Sequence, residues 1–563
     1  MNAILQRLLA VFVALTAVAA AANHEFLSMT TPPGATLKAL CPFSQPPAFG
    51  LLPVVFELTN PTTKPVTWEV NQANRGYYSG SFSRSLSLSC PAGESRTSTV
   101  LFAVGEMVWN GGGYYGGVGQ LPLSVTADGT TNSGTLGDYG NHGSSVLGGS
   151  KLRASTKVPL ENIEFETALA PTDWRAYQGY SGVAIADSEW RAMPPGAKLA
   201  LTTWVKTGGV LAIVALDPAS TAATLGLPAV DQGSETACGL GHHKVVESQM
   251  RDLSLFLTSK SKGADGQSSY SDSRMGSWKE HAPGLFAGQG KSSLNLLLLA
   301  VVLVFAILIG PVNLWLIAPA ARRHRLFFSV PIISLATVLL LLAAVLLGDG
   351  MGGKGTRFVL IENRPGEGEN TNHIVQYQTS RCGVMFSTGF KAPGSAFVEG
   401  LASLNSSGRN NAEYELVAEA DGLRGSGPFF SSRTSQHFRV AGVVPTRGRI
   451  ELGECDGATA KLTSTFDFPL EKLYFTRDGK AWFVAEGVKP GEPATAKPLT
   501  ASVEMEMQAA LNEAPEEISD RVGQLRQRPM HFVAFTAKPA AIATHGSIRW
   551  TDHGIVTGAL VVP

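Results

Sequence analysis

Two uncharged apolar runs constrain this chain more than any other feature. From Leu294 it reads LNLLLLAVVLVFAILIGPVNLWLIA, and after a short connector LFFSVPIISLATVLLLLAAVLL begins at Leu326. At about 1.5 Å per helical residue each run crosses a hydrocarbon layer of about 30 Å. The pair therefore reads as a transmembrane helical hairpin, Leu294 to Ile317 and Leu326 to Leu347, with the lipid bilayer as its first partner. The connector carries Arg322, Arg323 and Arg325, and arginines in a short loop mark the cytoplasmic side. Gly310-Pro311 predicts a bend in the first span. Asn313, in its inner half, needs a hydrogen-bond partner either within the hairpin or on another helix.

The first residues agree with that orientation. Arg7, an apolar stretch from Leu8 to Ala20 and the small residues Ala19 to Ala22 have the layout of a secretory signal peptide over residues 1–22. An uncleaved anchor helix is the alternative. Cleavage places residues 23–290 outside the cytosol, and two spans return the rest of the chain to the same side.

Charge excludes one class of partner. Lys+Arg and Asp+Glu are both 45, so no net field attracts nucleic acid. Charged residues make up 16%, against an average of about 25%, which suits a partly membrane-embedded chain.

Outside the hairpin of residues 291–350 the pattern changes three times. Residues 23–145 alternate apolar and polar in short runs such as PVTWEVNQ and SLSLSCPAGE, which predicts a β-sandwich. Its Gly-rich stretch Trp109 to Gln120 reads as a loop, whose aromatics could stack on sugars. Within residues 146–290, SGVAIAD, PPGAKLALTTWVKTGG and VLAIVAL read as strand, helix and strand, a parallel α/β unit. Residues 351–563 return to β punctuation, broken by a helical stretch from Ala501 to Arg528 that Pro515 divides.

Candidate chemistry is sparse. Cys41 with Cys90, and Cys382 with Cys455, fall within the same regions and are candidate disulfides, with buried free thiols as the alternative. Cys238, His242 and His243 have zinc-donor chemistry, but adjacent histidines on a strand point to opposite faces. Asp187 and Glu189 follow a strand where α/β folds bind ligands, and could act as acid and base. GQGKSS (288–293) and DGMGGKG (349–355) lack the strand that a phosphate or dinucleotide loop needs, so they read as linkers. GxSxG, HExxH and EF-hand patterns do not occur. No cofactor is expected.

WRAYQGYSGVAIADSEW with ALTTWVKTGGVLAIVAL, and IGPVNLWLIAPAARRHRLFFSVPIISL followed by DGMGGKGTR, resemble a group of uncharacterised bacterial inner-membrane proteins. Those proteins combine an Ig-like sandwich, a glutamine-amidotransferase-like domain and a membrane hairpin. The resemblance implies a multidomain fold: an N-terminal β-sandwich, an α/β three-layer (flavodoxin-like) domain, the two-helix transmembrane hairpin and a C-terminal mostly-β domain. It also implies a bacterial inner-membrane location with both main soluble regions periplasmic. In working amidotransferases of that fold a nucleophilic Cys follows the strand that here runs from Val210 to Leu216. Asp217-Pro218 stands there instead, and His242, His243 and Glu247 do not have the spacing of the His-x-Glu pair. The expectation is a membrane-anchored extracytoplasmic scaffold or binding protein with a protein partner in the envelope and an unidentified ligand. The alternative is an envelope hydrolase or amidotransferase-like enzyme using the α/β cleft.

Overall fold

The computed structural model describes residues 24–562 apart from 32–33, 48, 73–80, 106–119, 138–145, 156–162, 181, 216–235, 239–240, 248–292, 365–369, 402–412, 420, 457–458, 501, 513 and 526–527. The expected signal peptide, the aromatic loop Trp109 to Tyr115, Asp217-Pro218 and most of GQGKSS lie outside the described residues.

The N-terminal region contains two antiparallel four-stranded sheets. One has the order β1 (Glu25–Thr31), β2 (Ala35–Leu40), β3 (Phe49–Thr59), β7 (Ser95–Gly105). The other has the order β6 (Arg84–Cys90), β4 (Val66–Gln72), β8 (Leu121–Ala127), β9 (Thr130–Leu136). Along β4 the residues Val66, Trp68, Val70 and Gln72 are buried, the period-two pattern of a strand with one wet face. A short β5 (Ser81–Phe82) leaves this region to pair elsewhere.

A mixed six-stranded sheet follows, in the order β11 (Ile163–Phe165), β10 (Val146–Gly149), β12 (Gly182–Ala186), β13 (Val210–Ala215), β15 (Gly241–Glu247), β14 (Thr236–Cys238). All pairings are parallel except β14 with β15. Every residue of β10 and β13 is buried, as a parallel sheet covered on both faces requires. Two short helices, α1 (Ser150–Ser155) and α2 (Asp187–Ala192), follow β10 and β12. The longer α3 (Pro195–Lys206) starts on a proline that presets its φ. It buries Ala197, Ala200, Leu201, Trp204 and Val205, one helical face. It stops at Thr207-Gly208, where Gly208 takes φ +124°, a conformation that favours glycine.

The apolar runs form α4 (Ser293–Ile307), which continues as π-helical turns over Leu308–Ile317 around Pro311, and α5 (Leu326–Asp349). Pro311 has no N–H to donate, which is a recognised cause of local unwinding. Both helices are long and apolar enough to cross a membrane. They are not core helices of a soluble body, because Leu299, Leu303, Phe327, Phe328 and Ile332 stand exposed on them. Asn313 is buried between them, and the Ser329 hydroxyl donates to its Oδ1 at 2.7 Å. Its Nδ2 has no hydrogen-bond partner.

The C-terminal region begins with β16 (Gly353–Arg364), β17 (Asn370–Cys382), β18 (Phe390–Pro393), β19 (Ser395–Leu401), β20 (Glu413–Glu419), β21 (Gly422–Ser426) and β22 (Ser435–Thr446). It continues through β23 (Ile450–Cys455), β24 (Ala460–Ser464), β25 (Leu470–Thr476), β26 (Trp482–Val488), β27 (Pro493–Pro498), β28 (His531–Thr536) and β29 (Ile548–Val561). Eleven of these make one sheet in the order β19-β22-β17-β16-β29-β23-β24-β27-β26-β25-β28. Because β28 also pairs with β29, the far half curls into a barrel-like closure that removes its open edge. Helices α6 (Val503–Leu511) and α7 (Glu516–Leu525) flank Pro515.

The three strand-rich regions share an apolar core, from Leu27 to Leu560, and the parallel sheet has a second, smaller cluster that includes Val146, Leu152, Ala184 and Val210. Phe43 packs edge-on against Tyr177 and Tyr180, joining the first sheets to the parallel one. Strand β5 pairs in parallel with β20, which joins the first sheets to the C-terminal region.

The expected disulfides are not formed. Cys41, Cys90, Cys382 and Cys455 are free thiols. Cys90 Sγ donates to Glu94 O, and Cys382 Sγ donates to Gln436 Oε1, so each thiol has a local partner. Burial raises Cys41 to about 12 and Cys382 to about 11, which keeps both protonated.

Candidate functional site

The crevice at the carboxyl ends of β10 and β12 is where the sequence places Asp187 and Glu189. Both carboxylates are engaged there. Glu189 is 1% exposed; its Oε1 accepts from Lys151 N at the start of α1 (2.7 Å) and its Oε2 from Ala186 N before α2 (2.8 Å). One side chain thus satisfies donors at two helix starts that have no partner within their helices. It fills the position an anionic ligand would take, and a Cβ at Gly149 would collide with it. Asp187 accepts from Arg191 Nε at 2.6 Å on an exposed face of α2, a surface pair.

His242 and His243 do not approach these carboxylates. In the sheet register Gly182, Val210 and His242 are neighbours, at the amino ends of β12 and β13. Asp187 lies five residues beyond Gly182. At about 3.3 Å per residue that separates the two sets by roughly 16 Å along the strands. The cleft set from the sequence is therefore not one site.

Sequence reasoning missed a buried charge cluster where α3 and α7 meet the C-terminal sheet. From α7, Glu517 and Arg521 stand one helical turn apart. Arg439, on β22 and 2% exposed, donates through Nη2 to Glu517 Oε1 at 3.0 Å, and Tyr377 donates to Glu517 Oε2. Arg439 Nη2 also donates to Thr207 O at 3.2 Å, at the carbonyl end of α3 where a cation is favoured. Burial alone would lower the Arg439 pKa, but Glu517, Tyr377 and Glu399 outweigh it and hold the guanidinium charged.

Beside it, Arg521 donates to both oxygens of Glu362 at 3.1 Å, and Arg364 donates to Oε1 as well. Burial would raise Glu362, yet the two guanidiniums bring it down to about 2. His373, the cross-strand neighbour of Glu362, is pushed down to about 3 by burial and by Lys206 and Arg364. His531 falls to about 4, by burial first and then Arg528. A general acid or base works best with a pKa near the operating pH. These three groups are displaced the other way, so the cluster is an electrostatic lock between helices and sheet. The usable sequence signals were an arginine within the apolar strand pattern HFRVAGVV and the Glu-to-Arg spacing of α7.

A second joint lies nearby. Arg175, held by Asp173 through Nε and Nη2, donates Nη1 to Gly422 O at 3.0 Å and Nη2 to Glu419 O at 3.3 Å.

The C-terminal region also carries an open groove of about 670 Å³ lined in part by Ser387, Thr388, Lys391, Arg424, Ser426 and His545. Lys391 and Arg424 are directly opposed across β18 and β21, each with its own carboxylate partner, Asp421 and Glu419. His545 Nδ1 accepts from Ser547 N, which leaves Nε2 to donate to Ser387 O at 3.0 Å. The groove offers hydroxyls and cations for a polar ligand. Among the described residues, no three or more His, Cys, Asp or Glu gather as a metal site.

No family model and no curated protein matches this chain. Among solved structures, the exo-chitosanase CsxA of Amycolatopsis orientalis is similar at 14% identity over 37% of this chain, with a TM-score of 0.13. The match covers 24% of that enzyme, and a similarity this low carries no argument about fold or activity.

Proposed function

We propose that this chain is a membrane-anchored extracytoplasmic scaffold or binding protein of a bacterial envelope, non-enzymatic and accessory to a transport or envelope complex. One observation carries the reading. Residues before and after the helical hairpin interlock through Arg439 with Thr207, Arg175 with Gly422, and β5 with β20. Segments that pack together belong on one side of a bilayer, and two spans permit that. The arginines 322, 323 and 325 between the helices favour the cytosol for the connector, which puts the interlocked body outside.

The strand order β11-β10-β12-β13-β15, wholly parallel, supports the flavodoxin-like, amidotransferase-like reading of that sheet. Its ligand crevice is occupied by Glu189, and the charge cluster is displaced from useful acid–base range, which favours binding over catalysis. Cysteine-accessibility mapping of the 322–325 connector in intact cells, together with co-purification after mild detergent extraction, tests both halves of the proposal. A connector labelled from outside overturns the orientation. A protein that purifies with no stoichiometric partner overturns the accessory role.

A further inference from the structure

We infer that the end of the C-terminal sheet nearest α5 docks on anionic lipid headgroups, with Phe386 inserted beside them; the inference rests on reading α5 as a membrane span. The chain leaves α5 at Asp349, and the next residues are tied at once to the loop after β17. Val384 N donates to Gly350 O at 2.9 Å, Gly352 N to Val384 O at 3.0 Å and Gly383 N to Gly352 O at 2.6 Å. This loop cannot leave the place where the span ends.

Two apolar side chains stand out at that place. Phe386, two residues past Val384, is 88% exposed, and Met351 is 67% exposed. Ser432 Oγ accepts from Met385 N, which fixes the loop that presents Phe386. Large apolar side chains at the end of a span fit the headgroup level of a bilayer.

A row of cations lies next to them. Lys354, the second residue of β16, is in register with Arg381 on β17 and with Arg549 on β29. All three are exposed, so three positive side chains stand side by side on one face. The exposed Arg433 is close by, its N–H donating to Cys382 O at 3.0 Å. Exposed Lys and Arg side chains beside the end of a span attract anionic headgroups. A lipid surface is the occupant because the row begins at Lys354, five residues after α5 ends at Asp349.

The test uses the full chain in nanodiscs, with Cys238→Ser and Cys455→Ser removing competing thiols. A nitroxide is placed at Phe386→Cys, with Leu339→Cys on α5 as the lipid reference and Lys461→Cys as the water reference. Collision with oxygen is compared with collision with a water-soluble nickel complex, in phosphatidylcholine alone and with phosphatidylglycerol added. The expected result is a several-fold higher oxygen-to-nickel ratio at 386 than at 461. That ratio rises with phosphatidylglycerol, falls with salt, and loses its lipid dependence in the Lys354→Ser, Arg381→Ser, Arg549→Ser variant. The single Lys354→Ser variant, expected to show part of that loss, serves if the triple variant fails to fold. A water-like label at 386 beside a lipid-like label at 339 overturns the inference and leaves the span intact. A label at 386 shielded from both reagents, or indifferent to lipid charge, also overturns it. Water-like labels at both 386 and 339 remove the span reading and the inference with it.

Discussion

Arg439 Nη2 lies 3.2 Å from Thr207 O, two residues 232 positions apart with the apolar helical hairpin between them in the chain. Its guanidinium is buried against the buried Glu399 and the partly exposed Glu517, so removing it takes a counter-charge from a carboxylate held away from water. Arg439→Ala should cost about 3–5 kcal/mol, the usual consequence of breaking a buried ion pair from one side. Arg439→Lys, which keeps charge but loses the fork, should cost less. Denaturant unfolding of the detergent-solubilised protein reads both; equal midpoints for wild type and Arg439→Ala would refute the lock.

The contrast between what could be read from the sequence and what could not follows interaction range. The hairpin was legible because a span needs only a local run of apolar residues, and Leu294 to Leu347 contains two. Helix α3 was legible from Pro195 and Gly208 at its ends. Glu189 and Asp187 looked alike in a loop, yet one is a buried double cap and the other a surface pair. A Glu three residues after a strand end is the capping pattern that distinguishes them. Glu362 with Arg521 and Arg175 with Gly422 join residues 159 and 247 apart, and no local pattern encodes such partners.

Acid should loosen the C-terminal region before its carboxylates titrate. His373 and His531 are neutral in the fold, lowered from 6.5 to about 3 and about 4. Between those values and 6.5 the unfolded chain binds more protons than the folded one, so stability falls as pH falls through that window. Each histidine can steepen that fall by up to about 1.4 kcal/mol per pH unit. Glu362, lowered to about 2, contributes stability that is fully present above its unfolded value of 4.5 and fades only as pH drops towards 2. His373→Gln should flatten the dependence of the unfolding midpoint on pH between 6.5 and 4. An unchanged slope would count against the buried neutral imidazole.

Within the hairpin, the Ser329 to Asn313 hydrogen bond spans two helices that bury little else polar. Ser329→Ala should weaken hairpin association by about 0.6 kcal/mol, with an upper bound near 1.7. Asn313→Leu also leaves the Ser329 hydroxyl without this acceptor but removes the unpartnered Nδ2, so its loss should not exceed that of Ser329→Ala. Steric-trap measurement of helix separation distinguishes the two; a larger loss for Asn313→Leu would assign the amide a contact outside this chain.

Alkylation counted by mass spectrometry checks the thiols. Cys41, Cys90 and Cys382 are buried, whereas Cys455 is partly exposed. With Cys238 replaced by Ser, Cys455 should react first in the native protein and the other three only on unfolding, with the same count in the presence and absence of reductant. Extra labels appearing at Cys41 and Cys90 with reductant would restore the bridge.

The last prediction separates a structural carboxylate from a catalytic one at Glu189. Its two oxygens accept from Lys151 N and Ala186 N, and both donors would be left without an acceptor in Glu189→Ala. A hydrogen bond to a charged group contributes about 1.5–3 kcal/mol, so the alanine variant should lose roughly 3 kcal/mol or more. Glu189→Gln keeps one acceptor and turns an N–H₂ towards the other backbone donor, so it too should destabilise. Catalytic groups behave in the opposite way, because activity is often maintained at a cost in stability and their removal tends to raise the unfolding midpoint. If Glu189→Gln melts higher than wild type, the cap assignment fails and the crevice between β10 and β12 becomes the place to look for a reaction.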